Sequence, residues 1–237
     1  MFGDLSLFDV FIASPTMLVL VACSIVTVGF AIERTLYFNA SRTDVRRFMT
    51  ELTNRMKADP RSALDFCTKQ RSPVGRVMAQ GITHVGRPRE ELAQRLNTAI
   101  DMEQVEMERN LGVLGTMSNI APLLGLLGTV IGIIRAFADI ARTGSGGGAV
   151  VAMGVSEALL TTAAGIIVAV IATVFFNAFV RRIRIRVAQL EDAREAFFTL
   201  WAQFHRRARA AAPAATAAAG RSAAAAPQQA EPVAALR

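Results

Sequence analysis

The stretch "GVSEALLTTAAGIIVAVIATVFFN", Gly154 to Asn177, holds a single charged residue, Glu157. Two threonines follow it at Thr161 and Thr162, and a third lies at Thr173. A carboxylate in an apolar run costs several kcal/mol or gives up its charge, so it belongs on a helix-bundle interior or a water path. There, beside hydroxyls, it can take up and release protons. The competing account puts Glu157 at the end of the helix, capping its amino terminus with help from the dipole. Thr162, Ala169 and Thr173 share one helical face, and the threonines can also simply bond their own i−4 carbonyls.

A second stretch has a matching face. "LGVLGTMSNIAPLLGLLGTVIGII", Leu111 to Ile134, carries Gly125, Gly128, Thr129 and Gly132 at helical spacing. With Gly165 and Ala169 opposite, these small residues allow two membrane helices to approach closely. Thr129, Glu157, Thr161, Thr162 and Thr173 are therefore the candidate polar lining. Arg135 follows the second stretch; it can pair with Glu157, or snorkel to lipid headgroups.

Other chemistries find little support. "GVSEA" is not a nucleophile elbow, and the two histidines, His84 and His205, lie far from both apolar stretches. No metal-ligand spacing occurs. "GSGGG" lacks the Lys-Ser/Thr of a phosphate-binding loop. We expect no catalytic residue, no metal, no cofactor and no enzyme activity.

The elements that must position these residues are membrane spans. Of the 237 residues, 52% are hydrophobic, and they fall in three blocks: Phe11–Ile32, Leu111–Ile134 and Gly154–Asn177. Each exceeds the ~20 residues a helix needs to cross the hydrocarbon core. The expected fold is an all-α integral membrane protein with three transmembrane helices, spans two and three extending into a cytoplasmic helical bundle. Between spans one and two lie 14 Lys+Arg and 11 Asp+Glu, and "RRIRIR" follows span three. The positive-inside rule puts both regions in the cytoplasm and the amino terminus outside. No Lys or Arg precedes Arg34, so the first block does not read as a cleaved signal peptide.

The expected organisation is an outer interfacial segment 1–14, transmembrane helix 15–38, cytoplasmic helical loop 39–110, transmembrane helix 111–138, periplasmic loop 139–153, transmembrane helix 154–180, cytoplasmic helix 181–209 and disordered tail 210–237. Pro60, Pro73 and Pro88 read as helix starts. Apolar faces form from Val45, Phe48, Met49 and Leu52, from Leu92, Leu96 and Ile100, and from Val187, Leu190, Phe197, Leu200, Trp201 and Phe204. No breaker is evident after Pro88, so one helix is expected to run from there through span two. The Ala/Pro/Gln tail cannot build a core. The isoelectric point near 10.8 reflects topogenic arginines beside anionic lipid; no nucleic-acid partner is expected. Cys23 and Cys67 lie at different depths and are not expected to pair.

The motifs "APLLGLLGTVIGIIRAF" and "GVSEALLTTAAGIIVAVIATVFFN" resemble the TolQ/ExbB/MotA proton-channel family. The layout is similar to the TolQ/ExbB branch: one span ending in "ER", a large cytoplasmic loop, then two spans. Strong motifs cover Asn119 to Arg182 and the rest agrees in layout only; MotA, with four spans, fits less well. The resemblance implies a homopentamer in the bacterial inner membrane, with a dimer of a single-span TolR/ExbD-like protein in its pore. The partner brings a proton-binding Asp, and Thr129, Glu157 and Thr162 match the family's functional positions. Two departures stand out. Ile171 occupies a place where the family usually has proline, and Arg135 one where a neutral or His residue is commoner.

The function implied is a proton-conducting motor or stator subunit, powering outer-membrane uptake, envelope integrity or gliding. One charge crossing ~100 mV releases ~2.3 kcal/mol, enough to bias a rotational step. The alternatives are a membrane scaffold that moves no ions and a solute permease subunit.

Overall fold

The computed structural model describes residues 15–143 and 148–224, with side chains through residue 206 outside a short gap around residues 143–150. The expected interfacial segment 1–14, residues 144–147 of the expected loop and the end of the tail lie outside these residues. The described residues form helices joined by short connections, with no strand. In chain order the helices are α1 Pro15–Ala40, α2 Val45–Ala58, α3 Pro60–Lys69, α4 Pro73–Thr83, α5 Arg89–Glu108, α6 Leu111–Thr143 and α7 Gly148–Ala224. By length and composition α1, α6 and α7 can each cross a membrane.

The helix starts follow from local chemistry. The Asp44 carboxylate accepts the backbone N–H groups of Arg46 and Arg47 at 3.0 and 3.2 Å, opening α2. Asp59 does the same for α3 at Arg61 and Ser62. Ser72 caps α4 through Gly75. Pro60 and Pro73 occupy first-turn positions, where a missing N–H costs nothing. Pro88 precedes α5, and Glu90 and Glu91 sit in its first turn, where the helix dipole favours negative charge.

Two boundaries differ from the sequence reading besides the expected loop 139–153, which the helices narrow to the stretch between Thr143 and Gly148. The expected continuous helix from Pro88 through span two is broken: α5 ends at Glu108 and α6 begins at Leu111. Asn110 between them has φ 65°, the left-handed conformation that Asn tolerates better than most residues. The second concerns α7. Where the helix was expected to end at 209 and give way to a disordered tail, the structure carries it on to Ala224. Alanine is the best helix former, so an Ala-rich stretch extends a helix without building a core.

Below the spans, α2 to α5 pack on the continuing length of α7. One core joins Phe38, Phe48, Leu52, Met56, Ala63, Cys67, Met78, Leu92, Leu96, Ile100, Phe179, Ile183, Leu190 and Phe197. Most of the predicted apolar faces are therefore inside it; Phe204 stays 36% exposed. Gly81 makes one contact possible: a Cβ there would fall 2.9 Å from Phe197 Cε1. A buried Glu103 takes a two-pronged bond from Arg76, tying α4 to α5. Trp201 donates its indole N–H to the Val85 carbonyl at 2.9 Å. Both cysteines are unpaired: Cys23 is in α1, and Cys67 is in the bundle core, where burial pushes its thiol up to about 12.

Candidate functional site

The site is built on the contact between α6 and α7, and glycines set its closeness. A Cβ on Gly128 would lie 2.3 Å from Thr161 Cγ2, and one on Gly132 would lie 2.7 Å from Ala158 Cβ. At Gly165 it would meet the Ala121 carbonyl oxygen at 2.5 Å, and at Gly125 the Thr162 Cα at 3.0 Å. These four glycines thus form a seam where only hydrogen fits. Ala169 is buried beside Leu20, Ala121 and Val168, where α1 joins the same seam.

The threonines divide into two kinds. Thr129, Thr161 and Thr173 bond carbonyls of their own helices, at Leu126 (2.6 Å), Glu157 (3.0 Å) and Ala169 (2.8 Å). Thr162 instead donates across the interface to the Gly125 carbonyl at 2.9 Å. A hydroxyl bonded to the neighbouring helix holds the two spans in register.

Towards the ends of α6 and α7 that flank residues 144–147, the seam opens into a cleft of 360 Å³. Glu157 lines it from α7, together with Thr161 and Gly154; Arg135, Asp139, Gly128 and Gly132 line it from α6. Among the described residues the Glu157 carboxylate makes no hydrogen bond and no ion pair, and Arg135 in the same cleft does not reach it. A carboxylate, a guanidinium, a second carboxylate and a buried threonine thus face one space between two apolar helices. Such a space can admit water or an ion.

The structure therefore brings together Glu157, Thr161 and Arg135 with Gly128 and Gly132. It does not place Thr129, Thr162 and Thr173 in this cleft. For Thr162 the cause is its bond to α6. Asp139 was missed by the sequence reading, which put it in the connecting loop; α6 runs on to Thr143. The signal was its spacing: Gly128, Gly132, Arg135 and Asp139 recur at i+4, i+7 and i+11 on one face. Ile171 leaves α7 unbroken, and the proline in the membrane part of the helix pair is Pro122, inside α6.

A family model described as "MotA/TolQ/ExbB proton channel family" matches residues 69–192. The biopolymer transport protein ExbB of Salmonella typhimurium is 32% identical over 185 residues, covering 74% of this chain and 76% of that protein. The ExbB of Pseudomonas putida is 43% identical over 105 residues, which are 44% of this chain and 32% of that longer protein. The Tol-Pal system protein TolQ of Pseudomonas aeruginosa is 37% identical over 93 residues, 39% of this chain and 40% of its own length. The matched segment contains α6, the whole α6–α7 seam and the membrane part of α7.

Proposed function

The chain belongs to the MotA/TolQ/ExbB proton channel family, and from that premise we propose that it is the conducting subunit of a proton-driven envelope motor. The family is of the transport and channel type, and this member is a membrane protein with three apolar helices. One observation carries the reading: Glu157, without a protein partner among the described residues, lines a cleft between two spans whose glycine seam is otherwise closed.

In this reading the subunits form a homopentamer in the bacterial inner membrane, with the amino terminus periplasmic and the bundle cytoplasmic. A dimer of a single-span TolR/ExbD-like protein occupies the central pore. Glu157, Thr161 and Arg135 form the mouth through which protons reach the partner's carboxylate, while Thr129, Thr162 and Thr173 hold the polar faces of the spans around it. Keeping an ionisable group at membrane depth costs about 2.5–3.5 kcal/mol on insertion scales, a cost that structure alone does not require. The seam keeps α6 and α7 rigid, so proton movement at the centre is converted into motion of ring against partner. The work goes to uptake, envelope integrity or gliding.

The test is proton flux into proteoliposomes that hold this chain and its single-span partner, under an imposed pH gradient. Glu157→Gln is expected to remove the flux and leave assembly intact. Unchanged flux in that variant removes Glu157 from the pathway. No flux from the wild-type pair, with the complex formed, favours a scaffold that moves no ions.

A further inference from the structure

A second cleft lies away from the α6–α7 seam. It has a volume of 530 Å³ and sits where α1 ends, between the loop to α2, the amino end of α4 and one face of α7. Three arginines line it: Arg42 from the loop, Arg182 and Arg186 from α7. Among the described residues no carboxylate pairs with any of them. Asp44 also lines the cleft, but its carboxylate is engaged at the start of α2 by two backbone N–H groups.

Arg186 has a fixed place in this group. Its Nη1 donates to the Ser41 carbonyl and hydroxyl at 2.9 and 2.8 Å, and its Nη2 to the Phe38 carbonyl at 2.7 Å. It closes the carboxyl end of α1 while lying over the Phe38 ring. Burial holds its pKa below the usual guanidinium range, and the nearby Arg42 and Arg182 push the same way. Three uncompensated cations facing one cavity are the arrangement that an anion relieves. The amino end of α4, at Ser72 and Pro73, adds the positive end of a helix dipole to the opposite wall.

We propose that this cleft binds the phosphate of an anionic phospholipid headgroup. The chemistry shown is that of a phosphate ester, and its depth selects the lipid as the source. α7 turns from apolar to basic at Val180–Arg181, and α1 ends its apolar run in Tyr37 and Phe38; both mark the membrane surface on the side of the helical bundle. Ile185, 49% exposed, lines the cleft beside Arg186 and gives the lipid's glycerol region an apolar neighbour. The bound headgroup would pin α1 to α7 below the membrane. The inference depends on membrane embedding alone and stands apart from proton conduction.

The experiment is native mass spectrometry of the full chain as purified in neutral detergent, given equal amounts of phosphatidylglycerol and phosphatidylcholine with matched acyl chains. The wild type is expected to retain phosphatidylglycerol with roughly tenfold preference, as two or more guanidinium contacts imply. The Arg42→Gln/Arg182→Gln protein, which keeps Arg186 and its helix-closing bonds, should fall to near parity. Arg46→Gln/Arg47→Gln removes the same charge outside the cleft and should keep the preference. Equal loss in both double variants, or no preference in the wild type, overturns the proposal. If the first variant does not fold, Arg182→Gln alone is read in the same way. A parallel arm adds inorganic phosphate: displacement of the lipid by an equal concentration of phosphate overturns the lipid assignment, and resistance to it supports a headgroup site.

Discussion

The Thr162 hydroxyl of α7 donates to the Gly125 carbonyl of α6 at 2.9 Å. The donor lies on the face that the sequence assigns to ion passage, and the acceptor on the face it assigns to packing. The bond is possible because Gly125 has no side chain: a Cβ there would sit 3.0 Å from Thr162 Cα. Register between the two spans is thus fixed by a polar group rather than by apolar packing alone.

Replacing Thr162 with valine keeps the shape and removes the bond. Interhelical hydrogen bonds in membranes are worth about 0.6 kcal/mol on average, with a maximum near 1.7. We expect Thr162→Val to lower the melting temperature in detergent only slightly, and Thr162→Ser to restore most of it. Proton flux separates the roles. If Thr162 acts through the seam, flux should survive in the serine variant and fall in proportion to lost register in the valine variant. A valine variant that is fully stable yet has no flux assigns the hydroxyl to the pathway itself.

Gly128, like Gly165, should tolerate substitution poorly. A methyl there would meet Thr161 Cγ2 at 2.3 Å, far inside van der Waals contact. Thr161 is buried and cannot swing away. Gly128→Ala should therefore cost about 1–3 kcal/mol through overpacking, and Gly128→Leu should force α6 and α7 apart. The readout is the melting temperature of the protein purified in detergent, which should drop. The double variant Gly128→Ala/Thr161→Ser removes the nearer clash and should recover it only in part, since Thr161 Cβ would still lie 2.9 Å from the new methyl.

Periodicity and charge were enough to read three spans, their order and the apolar faces of the bundle helices, because burial by lipid and burial by protein both demand apolar repeats. Leu92, Leu96 and Ile100 in the core show this, as do the helix starts at Pro60 and Pro73. The site was legible in part. Glu157 and the glycines at 125, 128, 132 and 165 stand out by residue type. The partner of Thr162 does not, since a hydroxyl choosing between its own i−4 carbonyl and a neighbour's depends on the distance between backbones. Arg186 was hidden for a similar reason. It reads as one of many topogenic arginines, and its bonds to Phe38 and Ser41 join residues some 145 positions apart. The break at Asn110 was missed because a lone Asn is a weak signal until its φ is known.

Asn110 gives a clean test of that break. Its φ of 65° lies in the left-handed region, which costs most L-residues roughly 1–2 kcal/mol. Asn110→Gly should leave stability unchanged or slightly raised. Asn110→Val should lower it by about that cost, as β-branching adds to the strain. Thermal melting of the two purified variants beside the wild type decides this. A valine variant as stable as the wild type would mean that α5 and α6 are free to join as one helix.

Cys67 lets pH report on the bundle core. Its thiol is fully buried, and burial alone pushes it up to about 12 from an ordinary value of 9.0. The folded protein therefore keeps this proton where the unfolded chain has lost it. Between about pH 9 and pH 12 the folded state binds more protons than the unfolded one, so stability falls as pH rises, by up to ~1.4 kcal/mol per pH unit. Below pH 9 both states are protonated and the effect vanishes. Cys67→Ala removes the thiol and should flatten this part of the curve, at the cost of a small cavity. Urea melts of the detergent-solubilised protein at a series of alkaline pH values measure the slope, and the difference between wild type and Cys67→Ala isolates the thiol from the arginines and from Tyr37. Alkylation is the companion measurement: Cys67 should resist iodoacetamide at pH 8 while folded and react once urea opens the bundle. Rapid labelling of the folded protein would place Cys67 at the surface and sink the assignment.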